Sequence, residues 1–126
     1  METRRIPLSG IQGPRSIVFR GRPEGAKVRA QLNLDELDRD KQSTVIFVIP
    51  KDTTFFSPAF YLGLLFPSYE RLGSESVQLK YKFEFEIESL RAKQTLKSSV
   101  DYGHRFAVNS LYAHKMLAKE HRNVIA

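Results

Sequence analysis

Hydrophobic residues follow two spacings along the chain, and each spacing predicts a different kind of element. Residues 44–49 form an unbroken run of β-branched and aromatic residues, which is typical of a strand covered on both faces and central in a sheet. Residues 77–85 alternate between apolar and polar positions, as in a half-exposed strand nearer a sheet edge. A short β-rich run at residues 17–19 precedes a turn at residues 21–23. The pattern therefore predicts strands in three separate places.

Helical spacing is found in two further segments. Within residues 24–37, Ala30, Leu34 and Leu37 fall on one face of a helix. A second helical stripe lies in residues 99–117 and consists of Val100, His104, Val108 and Leu111. Residues 87–96 fit either a continued strand or the start of a helix.

The sequence predicts a helix start shortly after the apolar run at residues 44–49. The hydroxyl of Ser57 can accept a hydrogen bond from a free backbone N–H, and Pro58 loses no hydrogen bond at the first helical position. We expect the helix to extend through Leu65. Pro67 either kinks it or opens a second short turn, and Gly73 ends it.

These elements predict an α/β fold with a mixed sheet of about four to five strands flanked by helices. A chain of 126 residues is long enough for a single core. We expect the domain to occupy residues 16–118. Residues 1–15 lack a periodic apolar pattern and are expected to be a flexible basic arm, and residues 119–126 are expected to be a basic tail.

Composition narrows the class of protein. Hydrophobic residues make up 41% and charged residues 27% of the chain, which is typical of a globular domain. No apolar run reaches the roughly 18 residues of a membrane span, and no apolar stretch follows the basic start as in a signal peptide. We therefore expect a cytoplasmic protein without a membrane segment. The chain has no cysteine, which excludes disulfides, thiolate metal sites and a cysteine nucleophile.

The net charge of +6 is concentrated at the two ends. Residues 1–29 hold seven Arg and Lys against two acids, and residues 91–126 hold the same numbers. Such ends can attract nucleic acid, an anionic membrane or an acidic protein face. One interpretation is therefore a small basic nucleic-acid-binding protein, in which phosphates are contacted by Arg4, Arg5, Arg20 and Arg22.

No motif in the chain predicts catalysis. The spacing of His104, His114 and His121 matches no metal motif. Ser57, Asp101 and His104 could form a hydrolytic trio only on paper, because the sequence around the serine is not a nucleophile elbow. We expect neither enzyme activity nor a bound metal or cofactor.

Three segments carry a resemblance to a known family. They are residues 25–32 with Leu37, residues 44–49, and residues 55–60 with residues 63–65. In this order they resemble the first helix, central strand and Ser-initiated helix of the STAS domain, and more closely those of the bacterial STAS-like group. The match lies within residues 21–73, about two-fifths of the chain.

The resemblance implies a function. STAS domains are generally non-enzymatic regulatory modules that dock onto other proteins, and some are phosphorylated by a partner ATPase kinase of the GHKL type. The matching position is Ser57, which is therefore both a predicted helix cap and a candidate phosphorylation site. The expected docking surface surrounds this helix start and comprises Thr53, Thr54, Phe55, Phe56, Ser57 and Tyr61.

Overall fold

The computed structural model describes residues 2–9 and 18–125, with side chains described as far as Ala113. The strands are β1 (Glu2–Pro7), β2 (Val18–Phe19), β3 (Ser43–Ile49), β4 (Phe55–Phe56) and β5 (Tyr81–Phe85). The helices are α1 (Arg22–Leu32), α2 (Leu34–Arg39), α3 (Pro58–Leu72), α4 (Ser74–Lys80) and α5 (Leu90–Ile125). Within the described residues, no helix is both long and apolar enough to span a bilayer.

The main sheet has the strand order β1-β3-β5, so β3 is central, as its apolar run predicts. Strands β2 and β4 form a second, two-stranded sheet. Every strand pair in the described part of the chain is parallel, because helices connect the paired strands. The α/β class is confirmed. The arrangement differs from the expected single mixed sheet of four to five strands.

The two faces of β3 have different environments. Val45, Phe47 and Ile49 are fully buried in the main core. Thr44 and Ile46 point to the opposite face and are only half-buried. Coverage of both faces was therefore a wrong expectation at these two positions, where β1 and β5 contribute polar side chains, including the ion pair between Arg5 and Glu84.

Two glycines bring α1 and α3 into backbone contact. A Cβ atom on Gly25 would collide with the carbonyl oxygen of Phe60, and one on Gly63 would collide with that of Arg22. Only glycine permits this approach. As a consequence, the starts of both helices meet, with the N–H of Gly21 3.4 Å from the hydroxyl of Ser57.

The N-terminal segment is not the flexible arm that we expected. Residues 2–7 form β1, which pairs with β3 from Glu2 opposite Ser43 to Pro7 opposite Val48, so this part of the chain is not a flexible arm. The apolar pattern did not predict an edge strand in which only Ile6 packs against the core. Residues 10–15 of the expected arm lie outside the described residues.

The helix predicted over residues 24–37 is divided into α1 and α2. Asn33 has a φ of 56°, in the left-handed region that asparagine enters more readily than most residues. The strand predicted over residues 77–85 begins only at Tyr81, because residues 74–80 form α4.

The C-terminal segment is one helix. For residues 87–96, the helical alternative is confirmed from Leu90 onward. Val100, Val108 and Leu111 pack against the core as their spacing predicts. The backbone of α5 continues to Ile125, so residues 119–125 extend this helix, whereas we expected a separate tail.

Candidate functional site

Ser57 caps α3. Its hydroxyl accepts a hydrogen bond from the N–H of Phe60 at 3.0 Å and a longer one from the N–H of Gly21 at 3.4 Å. Its own N–H donates to the carbonyl of Phe19 at 2.9 Å. The predicted helix start is confirmed, and the residue retains 9% exposure.

The two phenylalanines before this cap have opposite environments. Phe56 is fully buried, and its ring lies 5.9 Å from that of Phe19 and 5.3 Å from that of Phe60. Phe55 is 43% exposed, and the guanidinium of Arg20 lies 5.5 Å from the centre of its ring. Parallel pairing of β2 with β4 fixes the backbone here, so the Phe55 ring is presented from an ordered strand.

The remaining residues of the expected docking surface also differ in exposure. Thr54 is exposed. Thr53 and Tyr61 are buried, and the Tyr61 hydroxyl is 2.6 Å from that of Tyr69. Only Thr54 and Phe55 of the expected surface are therefore exposed. Together with Arg20, which lies over the Phe55 ring and was not part of the expected surface, they form what we call the Phe55 surface.

The four arginines of the nucleic-acid hypothesis lie on different elements. On β1, Arg4 is 3.8 Å from a carboxylate oxygen of Glu2, and Arg5 pairs with Glu84. Near the start of α1, Arg20 lies over Phe55, and the guanidinium of Arg22 is 5.3 Å from the centre of another aromatic ring, that of Phe66. The four arginines therefore lie at two separate places, on β1 and near the start of α1. Each of them contacts another side chain of the protein.

A buried ionic cluster was not predicted from the sequence. Arg29 donates to a carboxylate oxygen of Asp38 at 2.8 Å and to the hydroxyl of Ser68 at 2.8 Å. Ser68 donates to the same carboxylate at 2.8 Å, and Tyr81 donates to it as well. The cluster joins α1, α2, α3 and β5, and burial together with the neighbouring Asp38 raises the pKa of Tyr81.

The sequence carries one signal for this cluster. Arg29 lies four residues after the buried Gly25, and Asp38 lies four residues after the buried Leu34. Both charges therefore occupy core-facing helical positions. Buried charges require partners, so a basic and an acidic residue in such positions predict each other. Their polar groups are satisfied by one another, which suits a structural role.

A second polar chain connects α3 to α5. The hydroxyl of Tyr69 is hydrogen-bonded to that of Tyr61 and to Nδ1 of His104. Burial raises the pKa of Tyr69 to about 12 and lowers the pKa of His104. Gly103 lets the helices approach, because a Cβ there would overlap the Tyr61 ring. His104 and Ser57 thus have separate partners, and they do not form the trio considered above.

A cleft of about 520 Å³ lies between β5 and α5. We call it the β5–α5 cleft. Aromatic side chains line it from β5, through Tyr81, Phe83 and Phe85, and from α3, through Tyr61. Its charged lining residues are Lys82, Lys97, Asp101 and Arg105, all exposed, with His104 half-buried among them. Three cations therefore accompany a single carboxylate.

Comparisons with protein-family models, curated proteins and solved structures found no match for this chain. The resemblance to the STAS-like group accordingly stays a prediction from residues 21–73. Among the side chains that the structure describes, no group of three or more His, Asp or Glu residues is arranged to hold a metal ion.

Proposed function

We propose that this chain is a cytoplasmic, non-enzymatic protein-interaction module of STAS-like type that docks through the Phe55 surface. The exposed ring of Phe55, held on a paired strand directly before the α3 cap, is the observation that supports docking at this point. The parallel β3 and the Ser57-initiated helix are compatible with the STAS-like resemblance.

The Phe55 surface has the chemistry of an interaction hot spot. Aromatic and arginine side chains dominate binding energy at protein interfaces, and here Arg20 lies over the ring of Phe55. Because a Phe side chain buries on the order of 200 Å², covering its exposed 43% contributes roughly 2 kcal/mol at about 25 cal/mol per Å². The fixed backbone adds little ordering penalty on binding.

The partner that the resemblance favours is an ATPase kinase of the GHKL type. Phosphorylation of Ser57 by such a partner would add about −1.5 to −2 charges at the start of α3. The phosphorylated oxygen would exchange its present contacts with the N–H groups of Phe60 and Gly21 for new ones. Phosphorylation of Ser57 would therefore change the hydrogen bonds at the start of α3, next to the Phe55 surface.

Affinity capture with the full chain, followed by binding measurements with the purified captured protein, tests docking. Phe55→Ala should weaken binding about 30-fold, which corresponds to the roughly 2 kcal/mol above. Leu79→Ala is the matched control, because Leu79 is 67% exposed on α4 and lies outside the Phe55 surface. Equal affinity of Phe55→Ala and the parent chain would reject this surface.

The alternative of nucleic-acid binding has a separate test. Retention of the chain on DNA or RNA should fall steeply with salt if phosphate contacts dominate. Loss of that retention when Arg4, Arg5, Arg20 and Arg22 are neutralised would favour the alternative over protein docking. The docking proposal predicts no such salt-dependent retention.

A further inference from the structure

The outer edge of β5 has backbone groups directed away from the main sheet. Glu86 donates its N–H to the carbonyl of Ile49 at 3.0 Å, and backbone direction alternates along a strand. The N–H and C=O groups of Phe83 and Phe85 therefore point away from β3. In the described part of the chain, β3 is the only strand that pairs with β5. Such an edge can accept an added strand.

The β5–α5 cleft is lined by residues from both faces of β5, with Lys82 on one face and Tyr81, Phe83 and Phe85 on the other. Its volume of about 520 Å³ lies within the range of ligand pockets, about 300 to 1,000 Å³. Phe83 and Val100 are half-buried in its lining and offer apolar contacts from the strand and from the helix. The cleft therefore combines backbone hydrogen-bonding groups with side-chain packing.

The cations on α5 define the charge and the spacing of the occupant. Lys97 and Arg105 are eight residues apart on one helix, which corresponds to about 12 Å along its axis. At this separation each cation can pair with its own carboxylate. An extended chain rises about 3.3 Å per residue, so acidic residues at positions i and i+4 are about 13 Å apart and on the same face. Between the cations, Asp101 disfavours a third acid in the middle.

We propose that the β5–α5 cleft binds an extended acidic peptide segment of a partner protein, which adds a strand to β5 and places two carboxylates, four residues apart, against Lys97 and Arg105. Exposed Lys82 on β5 adds to the positive charge of the cleft. The proposal does not depend on the Phe55 surface, because different elements form the two sites.

The test uses a fluorescent peptide, acetyl-Thr-Glu-Thr-Val-Thr-Glu-Thr-amide, titrated with the full chain and followed by anisotropy. We expect saturable binding that weakens at least tenfold in the variant Lys97→Glu with Arg105→Glu. A peptide with both Glu residues replaced by Lys should bind this variant better than the parent chain. The matched control is Lys27→Glu with Lys51→Glu, which changes net charge equally at exposed positions outside the cleft.

N-methylation tests the pairing of backbones. Only alternate residues of an added strand direct their N–H groups toward β5, so methylating the nitrogen of the central Val or that of a neighbouring Thr should have unequal effects. One modification should abolish binding and the other should be tolerated. Thermal unfolding of each variant verifies that the fold is intact.

Several results would overturn the proposal. They are absence of binding, equal binding by the charge-reversed and control variants, and equal effects of the two N-methylations. Competition by inorganic triphosphate at the same affinity as the peptide would show a simple anion site instead. Binding of the peptide by Phe55→Ala should be unchanged, so a failure here is distinguishable from a failure of docking at Phe55.

Discussion

For single residues, a role that depends on neighbours close in the sequence could be predicted, whereas a role that depends on distant parts of the chain could not. Ser57 was predictable as a cap because its closer donor, the N–H of Phe60, lies three residues along the chain. The pairing of Arg29 with Ser68 was not, because 39 residues separate them. The same limit applies to Phe55 and Phe56: both occupy one short strand, and only the packing of Phe19, Phe60 and Phe83 around Phe56 decides which ring is exposed.

Removal of the Ser57 hydroxyl should lower the free energy of unfolding. Ser57→Ala leaves the N–H groups of Phe60 and Gly21 without their acceptor, and loss of an N-cap costs about 1 kcal/mol. Ser57→Asp should retain most of the stability, since aspartate also caps helices. Urea unfolding measures the difference. Ser76→Ala, at an exposed position of α4, is the control. A Ser57→Ala variant as stable as this control would contradict the cap.

The stability of the protein should also depend on pH through His104. Burial lowers the pKa of His104 in the folded state below its ordinary value of 6.5, so the unfolded chain binds more protons between these two pKa values. Stability from this group is complete above about pH 6.5 and falls as the pH is lowered toward the folded-state pKa. Urea unfolding at pH 7.5 and 5.5 should show a smaller loss in His104→Gln than in the parent chain. An equal loss in both proteins would exclude His104 as the source.

Among the strands and helices, those with the strongest local sequence pattern were predicted correctly. The core strand β3 and the start of α3 have continuous apolar residues and a specific cap, and both were predicted. Strand β1 was missed because its arginines face solvent at a sheet edge, where pairing with β3 supplies the order. The residues of α4 alternate in polarity over too few positions to distinguish a strand from a two-turn helix, and the buried Val77 satisfies either pattern.

The contact between α1 and α3 should be intolerant of a single methyl group. In Gly63→Ala the new Cβ would overlap the backbone of Arg22 and Ala26, and backbone cannot rotate away as a side chain can. We expect a loss of about 3 kcal/mol, at the upper end for overpacking. Gly73→Ala meets no atoms within 4 Å, and its φ of 87° and ψ of 159° should cost about 1 to 3 kcal/mol through backbone strain alone. Denaturant unfolding in which Gly63→Ala is as stable as the parent chain would contradict the close packing.

In the whole molecule, the two proposed contact surfaces lie on different parts of the fold. The Phe55 surface lies at the start of α3, and the β5–α5 cleft lies at one edge of the main sheet. The basic excess of the chain contributes directly to the cleft through Lys97 and Arg105, whereas Arg5 is paired with Glu84. Net charge alone therefore does not identify the partner, because individual cations have different roles once the chain is folded.

Site-specific photocrosslinking tests whether the partner docks at Phe55. A benzophenone amino acid is placed at position 55 of the full chain, and at position 79 in the control, and each protein is irradiated with the purified captured partner. Docking through Phe55 predicts a covalent adduct from position 55 and none from position 79. An adduct from position 79 alone, or from neither position while the complex persists, would contradict docking through this surface.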